Sequence, residues 1–110
     1  MTNDVNQLWK EESAAQFAQV LVDIADVKTM QNFLRDVLTD KEIVEISARL
    51  EAARMLKAGN TYTEITQKTK LSSRTVARVR DWMNNGANGY RPVLSRLDET
   101  HGHISPVRAD

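Results

Sequence analysis

Arg74, Thr75 and Arg78 follow directly on the serine pair Ser72 and Ser73, with Lys68 and Lys70 just before it. Guanidinium groups about one helical turn apart can grip base edges or phosphate oxygens through paired hydrogen bonds. Lysine ammonium groups neutralise phosphates as point charges, and serine hydroxyls at a helix start add hydrogen bonds to a nucleic-acid backbone. The chemistry open to this set is recognition of a polyanion rather than the making or breaking of covalent bonds.

Other chemistry is poorly provided for. With two histidines and no cysteine, no nucleophile with a base and an orienting partner can be assembled, and no phosphate-cradling glycine loop occurs. Glu11 with Glu12, and Glu42 with Glu45, read as solvated helix faces. His101 and His103 stand in a tail with Gly102 and Pro106, and a metal site needs further ligands than these. The chain is therefore expected to be no enzyme and to carry neither cofactor nor metal.

Side chains aimed at a duplex need a rigid mount. Residues 62 to 81, YTEITQKTKLSSRTVARVRD, have the spacing of a helix-turn-helix, taken as residues 62–84. Two helices crossing steeply after a short turn share a small wedge of contact, so their apolar residues fall at fixed offsets. Ile65, Leu71, Val76 and Val79 occupy them, with Thr69 turned inward. Ser72 or Ser73 is placed to cap the second helix, a contribution of roughly 1 kcal/mol. Arg74 and Thr75 are then expected to read base edges, Lys68 and Lys70 to contact phosphates, and Arg78 to divide between phosphate and interhelical roles. Two positions depart from the common pattern: Thr66 stands where many such units have alanine, and Lys70 stands at the turn glycine. A lysine with positive φ costs about 1 kcal/mol. The bland alternative is a helical hairpin whose second helix happens to be basic.

Charge is concentrated where the motif lies. The whole chain balances 15 basic against 15 acidic side chains. Residues 57–97 hold eight basic and two acidic ones, a net of +6, whereas residues 1–56 stand at −4 and residues 98–110 at −2. Such asymmetry suits phosphate neutralisation, with affinity falling as salt rises.

The remaining sequence must build the scaffold. At 110 residues, 41% of them hydrophobic, there is room for one compact helical domain, assigned to residues 1–97 with a mobile C-terminal tail at 98–110. The absence of cysteine is compatible with a reducing cytosol. No secretion signal or membrane span is visible, so a cytoplasmic protein without membrane partners is expected. Val5, Leu8, Trp9, Phe17, Val20, Leu21 and Ile24 suggest one amphipathic helix from about residue 5 to 25. A second is expected from about Lys28 to Val37. A third starts at the capping box Thr39-Asp40-Lys41-Glu42, carries Ile43, Ile46, Leu50 and Ala53 inward, and ends at a left-handed Gly59. Gly86 to Gly89 read as a flexible exit, with Arg91 to Leu97 making a last helical turn or two. So long an apolar stripe on the first helix asks for a second copy, and a twofold homodimer would set two reading helices about 34 Å apart on one face of duplex DNA.

The order of elements, the stretch Leu38-Thr39-Asp40-Lys41-Glu42 ahead of Arg49, and the segment from Lys57-Ala58-Gly59 through Thr75-Val76-Ala77-Arg78 resemble the tryptophan repressor superfamily. The ending Asn84-Asn85-Gly86-Ala87-Asn88-Gly89-Tyr90-Arg91, followed by Val93-Leu94 and Arg96-Leu97, is similar to its YerC/YecD branch. The likeness spans about residues 10 to 97. It implies an all-α, TrpR-like intertwined homodimer that regulates transcription through two helix-turn-helix heads. It also implies positions for a tryptophan pocket: Thr39, Arg49 and Arg78 correspond to three of its residues. Val79 stands where a glycine would admit the indole, and Trp82 where a serine would meet the amino group. A valine in a slot shaped for a flat ring overpacks it, typically by about 1 to 3 kcal/mol, so L-tryptophan is disfavoured as a corepressor. Whether another small-molecule effector exists is left open, as are two further readings of the same fold, an architectural DNA-binding protein and a protein-interaction adaptor.

Overall fold

The computed structural model describes residues 5–101. Among them the chain is all-α: a short 3-10 helix, Val5–Lys10, precedes α1 (Glu12–Asp23), α2 (Val27–Val37), α3 (Asp40–Lys57), α4 (Tyr62–Thr69), α5 (Ser73–Asn85) and α6 (Tyr90–His101).

Side chains set four of the helix starts by satisfying amides that helix geometry leaves without partners. The Asp26 carboxylate accepts from the Thr29 amide at 3.0 Å and so starts α2. At α3 the expected capping box is present. The Glu42 amide donates to Thr39 Oγ1 at 3.1 Å, and the Thr39 amide donates to Glu42 Oε1 at 2.8 Å. The same spacing recurs before α4, where the Glu64 amide donates to Thr61 Oγ1 and the Thr61 amide to Glu64 Oε1. Helix α3 stops at Gly59, whose φ is 92°. The Asn60 amide then reaches the Met55 carbonyl at 3.0 Å and the Gly59 amide the Leu56 carbonyl at 3.1 Å, a closure that the left-handed residue makes geometrically accessible.

The single helix expected from residue 5 to 25 is broken. Glu11 is extended, with φ −68° and ψ 122°, and separates the 3-10 helix from α1. The apolar pattern carries the reason. At roughly 100° per residue, Val5, Leu8 and Trp9 would lie about a third of a turn away from the stripe of Phe17, Val20, Leu21 and Ile24, so one straight helix would not carry both sets on a single face. At the other end, α6 is longer than the turn or two expected and continues through His101, so residues 98–101 are helical. The rest of the expected tail, with His103, lies outside the described residues.

The backbone packs as two compact units, one up to Ile43 and one from Val44 onward, with α3 beginning in the first and continuing in the second. In the first unit Phe17 and Phe33 meet with ring centroids 6.2 Å apart, yet neither α1 nor α2 has a buried residue. Leu8, Trp9, Val22, Val27 and Val37 all stand exposed.

The second unit has a dry core in two adjoining clusters. Ala52 and Met55 of α3, Ile65 of α4 and Val76 of α5 form one, bordered by Leu56, Tyr62 and Leu71. Ala53 of α3, Val79 of α5 and Leu94 of α6 form the other, bordered by Leu56, Met83, Tyr90 and Leu97. Burial of Ile65, Val76, Val79 and Leu94 contributes roughly 1.5 to 3 kcal/mol each. On α3 the buried face is thus Ala52, Ala53 and Met55, whereas Ile46 and Leu50, expected inward, are exposed. Apolar residues run around two sides of this helix, and the fold covers one of them.

Candidate nucleic-acid interface

Helix α4 ends at Lys70, which takes the left-handed conformation expected of it, φ 66° and ψ 10°. The turn is closed by Thr69: its hydroxyl donates to the Ile65 carbonyl at 2.8 Å and accepts from the Leu71 amide at 3.2 Å. Leu71 then packs on the Ile65 and Val76 cluster, so the corner is filled from inside. Ser72 starts α5 as the cap, accepting from the Thr75 amide at 3.1 Å while its own hydroxyl donates to Thr75 Oγ1 at 3.1 Å. The Ser72 and Thr75 hydroxyls are therefore bonded to each other, and Ser73 is the exposed first residue of the helix. Helix geometry leaves the Ser73 and Arg74 amides without intrahelical acceptors, pointing out of the positive end of the helix.

Val76, Val79 and Met83 define the inner side of α5. At about 100° per residue, Arg74, Ala77, Arg78 and Asp81 share the opposite side, and all four are exposed. The guanidinium groups of Arg74 and Arg78 thus sit on a common outward face, one turn apart, in the N-terminal half of the helix. Asp81 places a negative charge further along, with Asn85 Nδ2 donating to it at 2.9 Å. Positive charge on this face is therefore concentrated in the N-terminal half of the helix. Among the described residues, no hydrogen bond or ion pair engages the side chain of Lys70, Arg74, Arg78 or Arg80. Lys68 differs, because its Nζ lies 3.7 Å from Glu51 Oε2.

Glu51 is the centre of a small network that sequence reasoning passed over. Arg54 clasps it with one edge of its guanidinium, Nε to Oε1 at 3.0 Å and Nη2 to Oε2 at 2.6 Å. That clasp, with Lys68 adding to it, holds the Glu51 carboxyl below its ordinary value of 4.5. The i, i+3 spacing of Glu51 and Arg54 was legible as a helix pair. The tie to Lys68, on another helix, was not.

The positions corresponding to a tryptophan pocket fall as follows. Thr39 is spent on the capping box in the first unit. In the second unit Val79 is fully buried against Ala53 and Leu94. The Arg49 guanidinium carbon lies 5.6 Å from the centroid of the Trp82 ring, and Arg49 Nη2 donates to Glu45 Oε2 at 2.8 Å. Arg78 is exposed. No group of three or more metal-ligating side chains occurs among the described residues.

The exit from α5 is built rather than slack. The Gly86 amide donates to the Trp82 carbonyl at 2.9 Å, and a Cβ at Gly86 would lie 2.5 Å from that same oxygen, so only glycine fits. Asn88 takes a φ of 62°. Arg91 reaches back from α6, donating from Nε to the Met83 carbonyl at 3.0 Å and from Nη2 to Asn84 Oδ1 at 2.8 Å. The first of these bonds satisfies a backbone carbonyl at the end of α5, and both bind that end to α6.

Comparison with known proteins places this architecture. The family described as Trp repressor protein matches residues 12–98. The uncharacterized protein YerC of Bacillus subtilis (strain 168) is 36% identical over 90 residues, covering 82% of this chain and 86% of YerC. The crystal structure of a TrpR-like protein from Eubacterium eligens superposes with a TM-score of 0.79 at 36% identity, covering 84% of this chain and 95% of that one. A crystallised candidate Trp repressor from Staphylococcus aureus gives a TM-score of 0.80 at 25% identity, with 87% and 96% covered.

Proposed function

The chain belongs to the Trp repressor family, and on that footing we propose that it is a sequence-specific regulator of transcription that binds duplex DNA through α4 and α5. The observation that carries this is the outward face of α5. Arg74 and Arg78 stand exposed and without ion-pair partners among the described residues, mounted on a helix whose inner side is locked by fully buried Val76 and Val79. Lys70, at the turn, and the free amides of Ser73 and Arg74 add phosphate contacts on the same end. Arg74 and Thr75 read bases. Lys68 joins the phosphate contacts only by sharing itself with Glu51.

The working unit is a homodimer. Its support is apolar surface left open: Leu8, Trp9 and Val22 in the first unit, and Val44, Ile46 and Leu50 of α3 in the second. Exposed apolar area on this scale marks an association surface, and a twofold pair of reading helices matches a half-site operator. L-tryptophan does not act as corepressor, because Val79 packed on Ala53 and Leu94 leaves no place for an indole there. The protein works in the cytoplasm, with DNA and no membrane as its partner.

Selection from random duplexes followed by a binding titration tests the reading. A preferred sequence should emerge, and Arg74→Ala should lose roughly 1 to 3 kcal/mol on it while losing less on random DNA. Equal loss on every sequence makes Arg74 a phosphate contact. Diffuse, sequence-blind binding favours an architectural role, and no binding at low salt favours a protein-interaction adaptor.

A further inference from the structure

We propose that Arg49 and Trp82 form a built-in brace that fixes the rotational setting of the reading helix α5 on α3, so that the chain's own side chains hold the pose that meets DNA. This rests on the DNA-binding reading above and names how that site is governed.

The buried contact between α3 and α5 is made by apolar side chains, Ala52, Ala53 and Met55 on one helix and Val76 and Val79 on the other. Contacts of this kind are non-directional and close to the helix axes, so they fix separation better than rotation. A polar, directional contact between the two helices lies on the flank of α5, where Trp82 meets Arg49. The guanidinium carbon is 5.6 Å from the indole centroid, within the range of a cation–π contact. Trp82 follows Arg78 by one turn on the same side of α5. Any rotation that carries the indole off the guanidinium therefore swings Arg78 and Arg74 with it.

Arg49 is itself placed with unusual definiteness. One edge donates to Glu45 at 2.8 Å, a fixed i, i+4 pair on the same helix. Its Nε is buried and has no hydrogen-bond partner. A buried donor left unbonded is costly, and the compensation visible is the position of the cation over the indole ring. Tyr90 lies within reach of the same charge. Its phenol, raised in pKa first by burial, feels the Arg49 charge acting in the opposite direction, so that charge lies close to the α3–α5–α6 core. At the next residues of α5, Arg91 holds the Met83 carbonyl and the Asn84 side chain. The C-terminal half of the reading helix is thus gripped on the α3 side through Trp82 and on the α6 side through Arg91.

The test is a double-mutant cycle read on DNA affinity, using the full chain and a duplex taken from the selection above. Trp82→Leu keeps apolar bulk and removes the π face; Arg49→Met keeps the stem and removes the charge. Each should weaken binding about two- to fivefold, and the double variant should be no weaker than the weaker single one. Trp82→Phe, which retains a ring face, should recover most of the loss. In a Trp9→Phe background, Trp82 emission should change when Arg49→Met is added. Urea unfolding in parallel separates affinity from stability, and Arg49→Met carries the test if Trp82→Leu does not fold. Losses that simply add, or variants that bind like the parent, overturn the brace alone. A parent protein that binds no duplex at low salt overturns the DNA reading and the brace's role with it.

Discussion

Lys70 offers the sharpest separation of fold from function, because its backbone and its side chain are asked to do opposite things. With φ 66° it sits where glycine is the favoured residue. A side chain there costs roughly 1 kcal/mol or somewhat more, offset in a Lys70→Gly variant by about 0.5 to 1 kcal/mol of extra chain entropy in the unfolded state. Lys70→Gly should therefore leave stability unchanged or raise it by up to about 1 kcal/mol, whereas Lys70→Ala, which keeps the strain, should gain nothing. On DNA the two variants should behave alike. Each lost phosphate contact lowers the slope of log K against log salt by about 0.9, so the advantage of the parent over either variant should shrink roughly 3.5-fold between 50 and 200 mM salt for each reading head. Urea unfolding and fluorescence anisotropy across salt concentrations measure the two effects on the same preparations. If Lys70→Gly is destabilised by more than about 1 kcal/mol, or if the salt slope is unchanged, Lys70 is not a strained residue retained for its charge, and the reasoning fails.

Two further outcomes follow from the same geometry. Ser72→Ala removes the cap that accepts from the Thr75 amide and should cost about 1 kcal/mol in urea unfolding; no loss would mean that another group caps α5. The Glu51 carboxyl is held below 4.5 in the folded state by Arg54 and Lys68, so its contribution is complete above that value and disappears as pH falls through the lower folded one. The stability difference between the parent and Glu51→Gln should accordingly narrow only in acid below about pH 4.5, and a difference constant across the acid range would rule the pairing out.

What could be read from the chain alone was whatever depends on neighbours in sequence. The Thr39 and Glu42 capping box, the left-handed Gly59, the Ser72 cap and the offsets of Ile65, Leu71, Val76 and Val79 are each set by spacings of a few residues, and the structure has all of them. The family followed from the same local patterns in combination. The Thr61 and Glu64 box was equally legible by its spacing, though it had gone unread. Other features needed the tertiary structure because they join residues far apart in the chain. Lys57 donates to Asp98 at 2.6 Å across 41 positions, Lys68 turns to Glu51, Leu94 completes the packing around Val79, and Arg49 lies over Trp82. Periodicity also misjudged α3, where apolar residues occupy two sides and only packing decides which is buried. Local hydrogen-bond geometry is written in short-range spacing, whereas the partner of a long side chain depends on how helices cross, and that is settled by the whole core at once.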